Sequence, residues 1–296
     1  MTPWHRSWRL WVAAALIAAS FARPAAAASE ADDDDEEDEV ATHATPPGTA
    51  PEAPPAETPT ADRERPIRLM AGAGAYLLPR YPGARRTSVS AYPFLDAAIG
   101  TRLEVDTLNG ARLTAFERDG LSLGLAARYR FGRQTSDDRA QLQGLRRIHD
   151  TVELGGFVNY RLAPGLTADL VVTQDVANAH RGMVGDLSLN HSFEIGRVEV
   201  EYGPFLRFAS RAFQQSFYGI SPQQAALNGR SAHNASTGIN RAGFAVWGDL
   251  PLTGRLHLIA DVEYGYLLGS AGASPLVRQG GSPSQLFAGV FLAWRF

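Results

Sequence analysis

The C-terminal segment is the feature that most limits what this chain can fold into. Counting back from the end, every second residue is apolar: Phe296, Trp294, Leu292, Val290, Ala288 and Leu286. A period of two places these side chains on one face of a β-strand, because successive strand residues point to opposite faces. We predict that the chain ends in a strand with one apolar face.

The same alternation recurs along most of the chain. Apolar residues occupy one face and polar or charged residues the other in 121–131, 152–162, 198–208 and 256–268. A soluble β-sandwich also alternates, but strands of about ten residues and a terminal aromatic residue are typical of bacterial outer-membrane barrels. An open sheet edge in lipid leaves backbone groups unpaired. We therefore predict an all-β fold: a closed antiparallel transmembrane β-barrel.

The number of strands follows from the alternating segments and the turn residues between them. We predict twelve strands, near 67–78, 87–96, 99–107, 111–117, 121–131, 151–162, 166–177, 184–195, 198–211, 238–250, 256–269 and 284–296. Connections between these segments alternate between short turns and mostly longer loops, as in outer-membrane barrels. Merging segments within 87–117, where Pro93 interrupts the pattern, gives ten strands as the alternative.

Residues 1–28 have the three parts of an export signal. Arg6 and Arg9 give a positive start, residues 10–21 are apolar, and small residues at 26–28 suit cleavage. The apolar stretch is shorter than the ~18 residues of a spanning helix. We predict a removable leader, an outer-membrane location for residues 67–296 and a periplasmic N-terminus.

Residues 29–66 differ from the rest in composition. Nine of the ten residues in 30–39 are acidic, and seven prolines lie between 46 and 66. Such a segment buries too little apolar surface to order itself, so we predict a disordered periplasmic linker. Three interpretations stay open for the acidic run: a docking tail for a basic partner, a binder of divalent cations, and a solvated spacer.

Charge and cysteine usage exclude several classes of protein. Residues 67–296 hold 23 arginines and 18 acidic residues, and the chain has neither lysine nor cysteine. Without cysteine there is no disulfide scaffold and no Cys-ligated metal site. The modest positive balance suits an anionic lipid or polysaccharide surface. No basic helix, finger or RNA-binding signature indicates nucleic acid.

A series of short motifs resembles one family. In chain order they are Tyr81-Pro82-Gly83, Tyr92-Pro93-Phe94-Leu95-Asp96, Tyr129-Arg130-Phe131-Gly132-Arg133, Asp137-Asp138, Leu142-Gln143-Gly144-Leu145, His180-Arg181-Gly182, Phe217-Tyr218-Gly219-Ile220-Ser221, Ser274-Pro275-Leu276 and Trp294-Arg295-Phe296. With these motifs, residues 67–296 resemble the MipA/OmpV family, named for MltA-interacting protein. The segment 29–66 departs from the family pattern, so nothing transfers to it.

The resemblance implies a non-enzymatic barrel. It implies a scaffold that brings a lytic transglycosylase together with a penicillin-binding protein, and hence murein-hydrolysing and murein-synthesising enzymes. Other members are described as porins, so a diffusion channel for small solutes is the alternative. The family has no catalytic motif to carry over, and no cofactor or metal is implied.

Two groups of residues are candidates for a catalytic site. A barrel phospholipase needs His and Ser on the same lipid-facing side, but His191 and Ser192 are adjacent and so lie on opposite faces of a strand. Asp175, His180 and Asp186 lie near one short loop, where turn chemistry explains such residues as well as a protease site does. We predict no catalytic residues.

The charged residues predicted to face the barrel lumen are the most prominent group of candidate functional residues. The predicted lumen charges are Arg128, Arg130, Glu153, Arg161, Glu199, Glu201, Arg207, Asp261 and Glu263. Two interpretations stay open: a conducting lumen lined by both signs, and an interlocked network that fills a small barrel. On the opposite face, Trp294 and Phe296 are predicted to form the assembly signal that the barrel-insertion machinery reads before the strands contact outer-membrane lipid.

Overall fold

The structure, a computed structural model, describes residues 67–296. These residues form twelve antiparallel strands in a closed barrel, in which each strand pairs with its sequence neighbours and the first pairs with the last. The strands are β1 (Ile67–Pro79), β2 (Thr87–Ile99), β3 (Leu103–Asp106), β4 (Gly110–Arg118), β5 (Leu121–Arg130), β6 (Thr151–Ala163), β7 (Leu166–Asp175), β8 (Met183–Ile195), β9 (Val198–Ala209), β10 (Gly238–Pro251), β11 (Leu256–Leu267) and β12 (Ser284–Arg295). The predicted twelve-stranded barrel is confirmed, and the ten-stranded alternative is wrong. The predicted leader and linker lie outside the described residues.

The two ends of the barrel differ in the length of their connections. At one end, called the turn end, the strands are joined by 100–102, 119–120, 164–165, 196–197 and 252–255. Four of these turns contain a glycine with positive φ, which a tight strand connection favours. At the other end, called the loop end, the connections are 80–86, 107–109, 131–150, 176–182, 210–237 and 268–283.

The long connections carry short helices that the alternation pattern does not predict. They are α1 (Arg139–Leu142), α2 (Arg211–Tyr218), α3 (Pro222–Asn228), α4 (Gly269–Ala273) and α5 (Pro275–Gln279), with a 3₁₀ turn at Thr135–Asp137. Helices of four to eight residues are too short to show a helical period in sequence. Ser210 and Ser221 cap α2 and α3 with their side-chain oxygens.

These connections fold over the loop end of the barrel as two apolar clusters, together called the loop cap. The loop cap consists of Tyr81, Ala84, Leu142, Leu145, Ile148, Val184, Ala209, Phe213, Phe217, Tyr218, Ile220, Leu267, Ala271, Leu276 and Val277. Arg133 is buried within it and donates to the backbone carbonyls of Phe217 and Ser216, at 2.5 and 3.4 Å. Burial lowers the pKa of the Arg133 guanidinium to about 10.

The barrel is apolar on its outer surface. On β5, β11 and β12, large apolar side chains such as Leu125, Val262 and Leu292 are exposed, whereas their strand neighbours point into the barrel. An apolar outer face on every second residue is the pattern of a barrel whose solvent is lipid. Within residues 67–296, no helix is long and apolar enough to cross a membrane.

One stretch of the barrel wall, at β3 and β4, ends short of the loop end. The sequence predicts strands over 87–96 and 99–107, but β2 runs on to Ile99 and β3 has only four residues. The β3–β4 hairpin closes early because the Asp106 carboxylate accepts hydrogen bonds from the backbone N–H of Asn109 and from its side chain, at 3.0 and 2.9 Å. β2 therefore pairs with β3 only from Asp96 onward, and β4 pairs with β5 only as far as Ala127.

This leaves a gap toward the loop end, between residues 87–94 of β2 and 128–130 of β5, above the hairpin tip at 107–109. We call this gap the wall notch. The β2–β3 and β4–β5 ladders both end below it, at Asp96 and Ala127.

Candidate functional site

A network of ion pairs spans the barrel interior beneath the loop cap. Asp186 on β8 lies at its centre and binds arginines from two other strands. Arg207 donates to its two oxygens at 2.6 and 3.1 Å, and Arg128 donates at 2.6 Å. All three side chains are about four-fifths buried. The Asp186 carboxylate thereby ties β5, β8 and β9 together across the lumen.

Glu153 on β6 forms a second group in the network, and its side chain is fully buried. Arg130 donates to both of its oxygens at 2.5 and 2.8 Å, and the Thr173 hydroxyl donates at 2.8 Å. His180 Nε2 lies 3.0 Å from Glu153 Oε1. Because His180 Nδ1 accepts the Gly182 N–H at 3.0 Å, Nε2 carries the proton and donates to Glu153.

Three further pairs extend this interior network. Arg112 donates to both oxygens of Asp169, each at 2.8 Å, and the Tyr76 hydroxyl donates to Asp261 at 3.0 Å. Arg241 donates to Glu263, and its guanidinium lies over the rings of Phe205 and Phe287, at 4.8 and 5.1 Å from the ring centroids.

Sequence reasoning missed Arg112 and Arg241. The register of β10 against β9 shifts between Ile239 and Arg241, so simple alternation does not place Arg241 inside the barrel. Arg112 stands in the 87–117 stretch, where the interrupted pattern hides which residues face inward.

The remaining predicted lumen charges lie toward the turn end. Arg161 and Glu199 are exposed, and Glu201 accepts the Ser192 hydroxyl at 3.1 Å. The predicted charges therefore divide into a paired interior group, which includes Arg128, Arg130 and Glu153, and a solvated group at the turn end.

The predicted assembly-signal residues lie at the end of the last strand. The side chains of Trp294 and Phe296 are 43% and 65% exposed on the outer surface. The backbone N–H of Phe296 donates to the Leu69 carbonyl at 3.0 Å, so the chain terminus stays in register with β1.

The protease candidates do not assemble into a site. His180 lies against Asp175, but both side chains are fully buried and the Asp175 carboxylate binds the N–H groups of His180 and Arg181, each at 2.7 Å. Asp186 binds Arg128 and Arg207 and does not contact Asp175 or His180. These contacts hold the 176–182 connection in place.

The phospholipase candidates also point apart. The Ser192 hydroxyl bonds Glu201 on the inner face, whereas the His191 ring packs against Phe193 and Tyr202, with centroids 5.7 and 5.5 Å away. The structure therefore leaves neither residue with the other as a catalytic partner.

A cavity of about 290 Å³, called the inner cavity, lies between the network and the loop cap. Its charged lining residues are Arg80, Arg130, Arg207, Arg241 and Glu263. Its aromatic lining is Tyr76, Tyr81, Tyr92, Tyr129, Phe131, Phe213, Phe217, Tyr218 and Phe287. Several of these aromatic residues also border the wall notch, so the cavity reaches the barrel wall.

Three buried polar atoms of the cavity lining have no hydrogen-bond partner among the described residues. They are the Tyr81 hydroxyl, Asn240 Oδ1 and Arg241 Nε, in residues that are 1%, 1% and 6% exposed. Burial raises the pKa of Tyr81 to about 12, so its hydroxyl stays protonated near neutral pH. Buried polar groups in folded proteins are normally paired. These three atoms are enclosed by neighbouring groups, although other parts of their residues line the cavity.

A search of solved structures finds several bacterial outer-membrane proteins that are similar to this chain. They include a bacterial polysaccharide outer-membrane secretin (9% identity, TM-score 0.40, covering 78% of this chain and 98% of that one). They also include the outer-membrane channel DcaP of Acinetobacter baumannii (9% identity, TM-score 0.36, covering 78% of this chain and 96% of that one). Neisserial surface protein A is a third (11% identity, TM-score 0.24, covering 78% of this chain and 96% of that one).

Comparison of the sequence with protein families identifies the family of this chain. No curated protein matches the chain. The family model described as MltA-interacting protein MipA matches residues 71–296, which is almost the whole barrel. The motifs that suggested this resemblance all fall inside the matched range or at its end. The chain therefore belongs to the MipA family of outer-membrane-type β-barrels.

Proposed function

We propose that this protein is a non-enzymatic docking scaffold of the bacterial outer membrane, which holds murein-hydrolysing and murein-synthesising enzymes near the membrane. In this proposal the leader 1–28 is removed, the turn end and the N-terminus face the periplasm, and the loop end faces outward. The linker 29–66 then extends from the same side as the short turns.

The observation that carries the proposal is the filled interior. Ion pairs such as Arg112 with Asp169 and Arg128 with Asp186 join strands that are not neighbours in the barrel, and the loop cap covers one end. Removing one partner of such a buried pair leaves an uncompensated charge. A barrel built in this way favours rigidity over conduction, which suits an anchor for other proteins.

The family description supports the choice of partner. The matching model is named for interaction with MltA, and the resemblance in the sequence implies a lytic transglycosylase and a penicillin-binding protein as partners. The exposed groups at the turn end, among them Glu194, Arg197 and Glu199, offer charges of both signs for such contacts.

The test combines two measurements on the leaderless full-length protein. In a planar bilayer, a scaffold gives no stable single-channel conductance. In a pull-down from periplasmic extract, it recovers a murein hydrolase and a penicillin-binding protein, whereas a barrel of the same size from another family does not. Recovery of neither enzyme would contradict the scaffold.

A diffusion channel for small solutes is the second candidate, and the inner cavity favours it. A cavity of about 290 Å³ lies behind the loop cap, so displacement of the cap connections would lengthen the open path through the lumen. Stable conductance steps that increase when residues 212–237 are shortened, with no enzyme recovered, would establish the channel instead.

A further inference from the structure

The loop end of the barrel has a charge that a docking role at the turn end does not require. We propose that a groove on its outer rim, called the rim groove, binds the phosphorylated head group of a glycolipid in the surrounding leaflet. The rim groove adjoins the outer face of β11, and its charged lining residues are Arg85 and Arg278. The site requires that the barrel lies in a membrane and is independent of any docking role.

Positive charge is concentrated at the loop end. Its six connections contain eleven arginines and three aspartates, whereas the rest of residues 67–296 contains twelve arginines and fifteen acidic residues. All three aspartates accept backbone N–H groups of their own connection, at 2.7, 2.8 and 3.3 Å; they are Asp150, Asp137 and Asp138. A surface with this excess of guanidinium groups attracts anions.

Contacts between two loop connections form the rim groove. Ala84 and Gly281 form an isolated β-bridge, and the Ser282 N–H donates to the Gly83 carbonyl at 2.9 Å. Arg85 Nε donates to the Gly281 carbonyl at 3.3 Å, which holds this guanidinium against the second connection. Arg85 therefore joins a groove whose other lining residues come from the end of β11 and the connection that follows it.

Arg278 comes from α5, a helix that is fixed by its buried side. Leu276 and Val277 of this helix are fully buried in the loop cap, and the Ser274 hydroxyl before it donates to a backbone carbonyl of α2 at 2.6 Å. Arg278 lies on the exposed side of the helix. Within the described residues, neither Arg278 nor Arg85 forms an ion pair, so both charges can meet a ligand.

The apolar outer wall beside the groove favours a lipid over a soluble anion. Tyr266 and Leu268 line the groove and are 46% and 37% exposed, and Tyr264 lies at the next outward position of β11, farther from the loop end. Tyrosines on the outer face of a barrel are typical of the level where hydrocarbon meets head groups. A lipid bound here places its chains along the wall and its head group beside the arginines, whereas a soluble anion contacts the arginines alone.

Two guanidinium groups favour a phosphate monoester over other anions. A phosphate monoester has a charge of about −1.5 to −2 near neutral pH and three acceptor oxygens. Arginine binds phosphate through two parallel N–H···O bonds, so one phosphate can match both arginines. A carboxylate or a phosphate diester, with a single negative charge, balances one of them. The groove volume of about 510 Å³ equals about seventeen waters at ~30 Å³ each, which leaves room for a sugar ring beside the phosphate.

The experiment uses the leaderless full-length protein in detergent, with a chelator that removes divalent cations. The ligands are lipid A with two phosphate groups and the same lipid after enzymatic removal of both phosphates, so the acyl chains are identical. Native mass spectrometry measures the bound fraction of each lipid. The phosphorylated lipid should bind about tenfold more tightly, because only this lipid supplies the anion.

Two double variants locate the site. Arg85→Gln with Arg278→Gln should weaken binding of the phosphorylated lipid about tenfold, to the level of the dephosphorylated lipid. The matched control is Arg147→Gln with Arg181→Gln, which removes the same charge from exposed loop-end residues outside the groove lining; binding should change by less than about twofold. Arg278→Gln alone removes no hydrogen bond to a described residue, so misfolding does not explain its expected loss of about threefold. Gel mobility before and after heating reports folding for every variant.

Equal binding of the two lipids would overturn the proposal. An equal loss in both double variants would overturn it as well, because the attraction would then come from the whole loop end and not from the groove. Glucose 6-phosphate tests a soluble ligand: if it displaces the lipid at the same concentration, the acyl chains contribute nothing and the assignment to a lipid is wrong. Phosphatidylglycerol tests a phosphate diester, and equal affinity for it would contradict the preference for a monoester.

Discussion

Single residues in the barrel interior are held by several partners from different strands. Glu153 accepts hydrogen bonds from Arg130, Thr173 and His180, which come from β5, β7 and the 176–182 connection. The alternation of β6 predicts that Glu153 faces inward. It does not predict these partners, because each is separated from Glu153 by 20 or more residues in sequence.

Glu153→Gln should destabilise the barrel strongly. The substitution leaves the Arg130 guanidinium buried without a full negative charge, which costs about 3–5 kcal/mol. The matched control is Asp119→Asn, since Asp119 pairs with Arg118 while 87% exposed and asparagine also tolerates its positive φ; its loss should be about 0–1 kcal/mol. Urea unfolding of the refolded barrel in lipid measures both, and similar losses for the two variants would contradict the buried network.

At the scale of strands and turns, agreement between sequence and structure depends on the regularity of the pattern. In β5 the alternation is unbroken, and Leu123 and Leu125 are exposed whereas Ala126 is buried, as the pattern predicts. Tyr129 and Phe131 continue the apolar face of the pattern but line the inner cavity. In β2 and β3 the pattern is interrupted by Pro93, and the early Asp106 turn makes β3 much shorter than predicted. The wall notch lies at this irregular point.

Leu125→Arg tests the outer face of β5. Leu125 is 63% exposed in mid-strand, and an arginine facing the middle of the bilayer costs about 2–4 kcal/mol. Leu125→Val, which keeps the site apolar, should lose less than about 1 kcal/mol. Unfolding free energies in lipid vesicles give the comparison. If both variants unfold alike, this face does not contact the hydrocarbon core.

At the scale of the whole molecule, assembly depends on closing the barrel between its first and last strands. β12 pairs with β1 from Leu77 to Met70, and the N–H of Phe296 continues this ladder. The exposed Phe296 ring makes little contribution to the folded barrel, so its predicted role belongs to insertion.

Deleting Phe296 should reduce insertion into the outer membrane and leave the chain in the periplasm for degradation. Phe296→Trp keeps a terminal aromatic residue and should insert normally. Membrane fractionation and heat-modifiable gel mobility report the outcome in cells. Refolding of the purified deletion variant into detergent should stay close to that of the unaltered chain. Normal insertion without Phe296 would show that the terminal aromatic residue is not the signal.

Deleting residues 30–39 tests the acidic run, which lies outside the described residues. If the run is a docking element, recovery of basic periplasmic partners should fall at low salt and the difference should vanish above about 0.5 M salt, where charges are screened within a few Å. Replacing the same ten residues with Gly and Ser keeps the length as a control. Equal recovery at every ionic strength would leave the solvated spacer as the better interpretation.

The sequence by itself predicted the barrel, favoured twelve strands over ten, and separated the short connections from the long ones, because these depend on local alternation and turn residues. It also predicted inward positions for Arg128, Arg130 and Glu153, which the structure places in interior ion pairs. Only the tertiary structure decided which arginine meets which carboxylate, how the loop cap packs, where β10 shifts register at Arg241, and that the short β3 opens a notch beside a cavity with unpaired donors. These features depend on contacts between residues far apart in the chain, and no short-range pattern encodes such contacts.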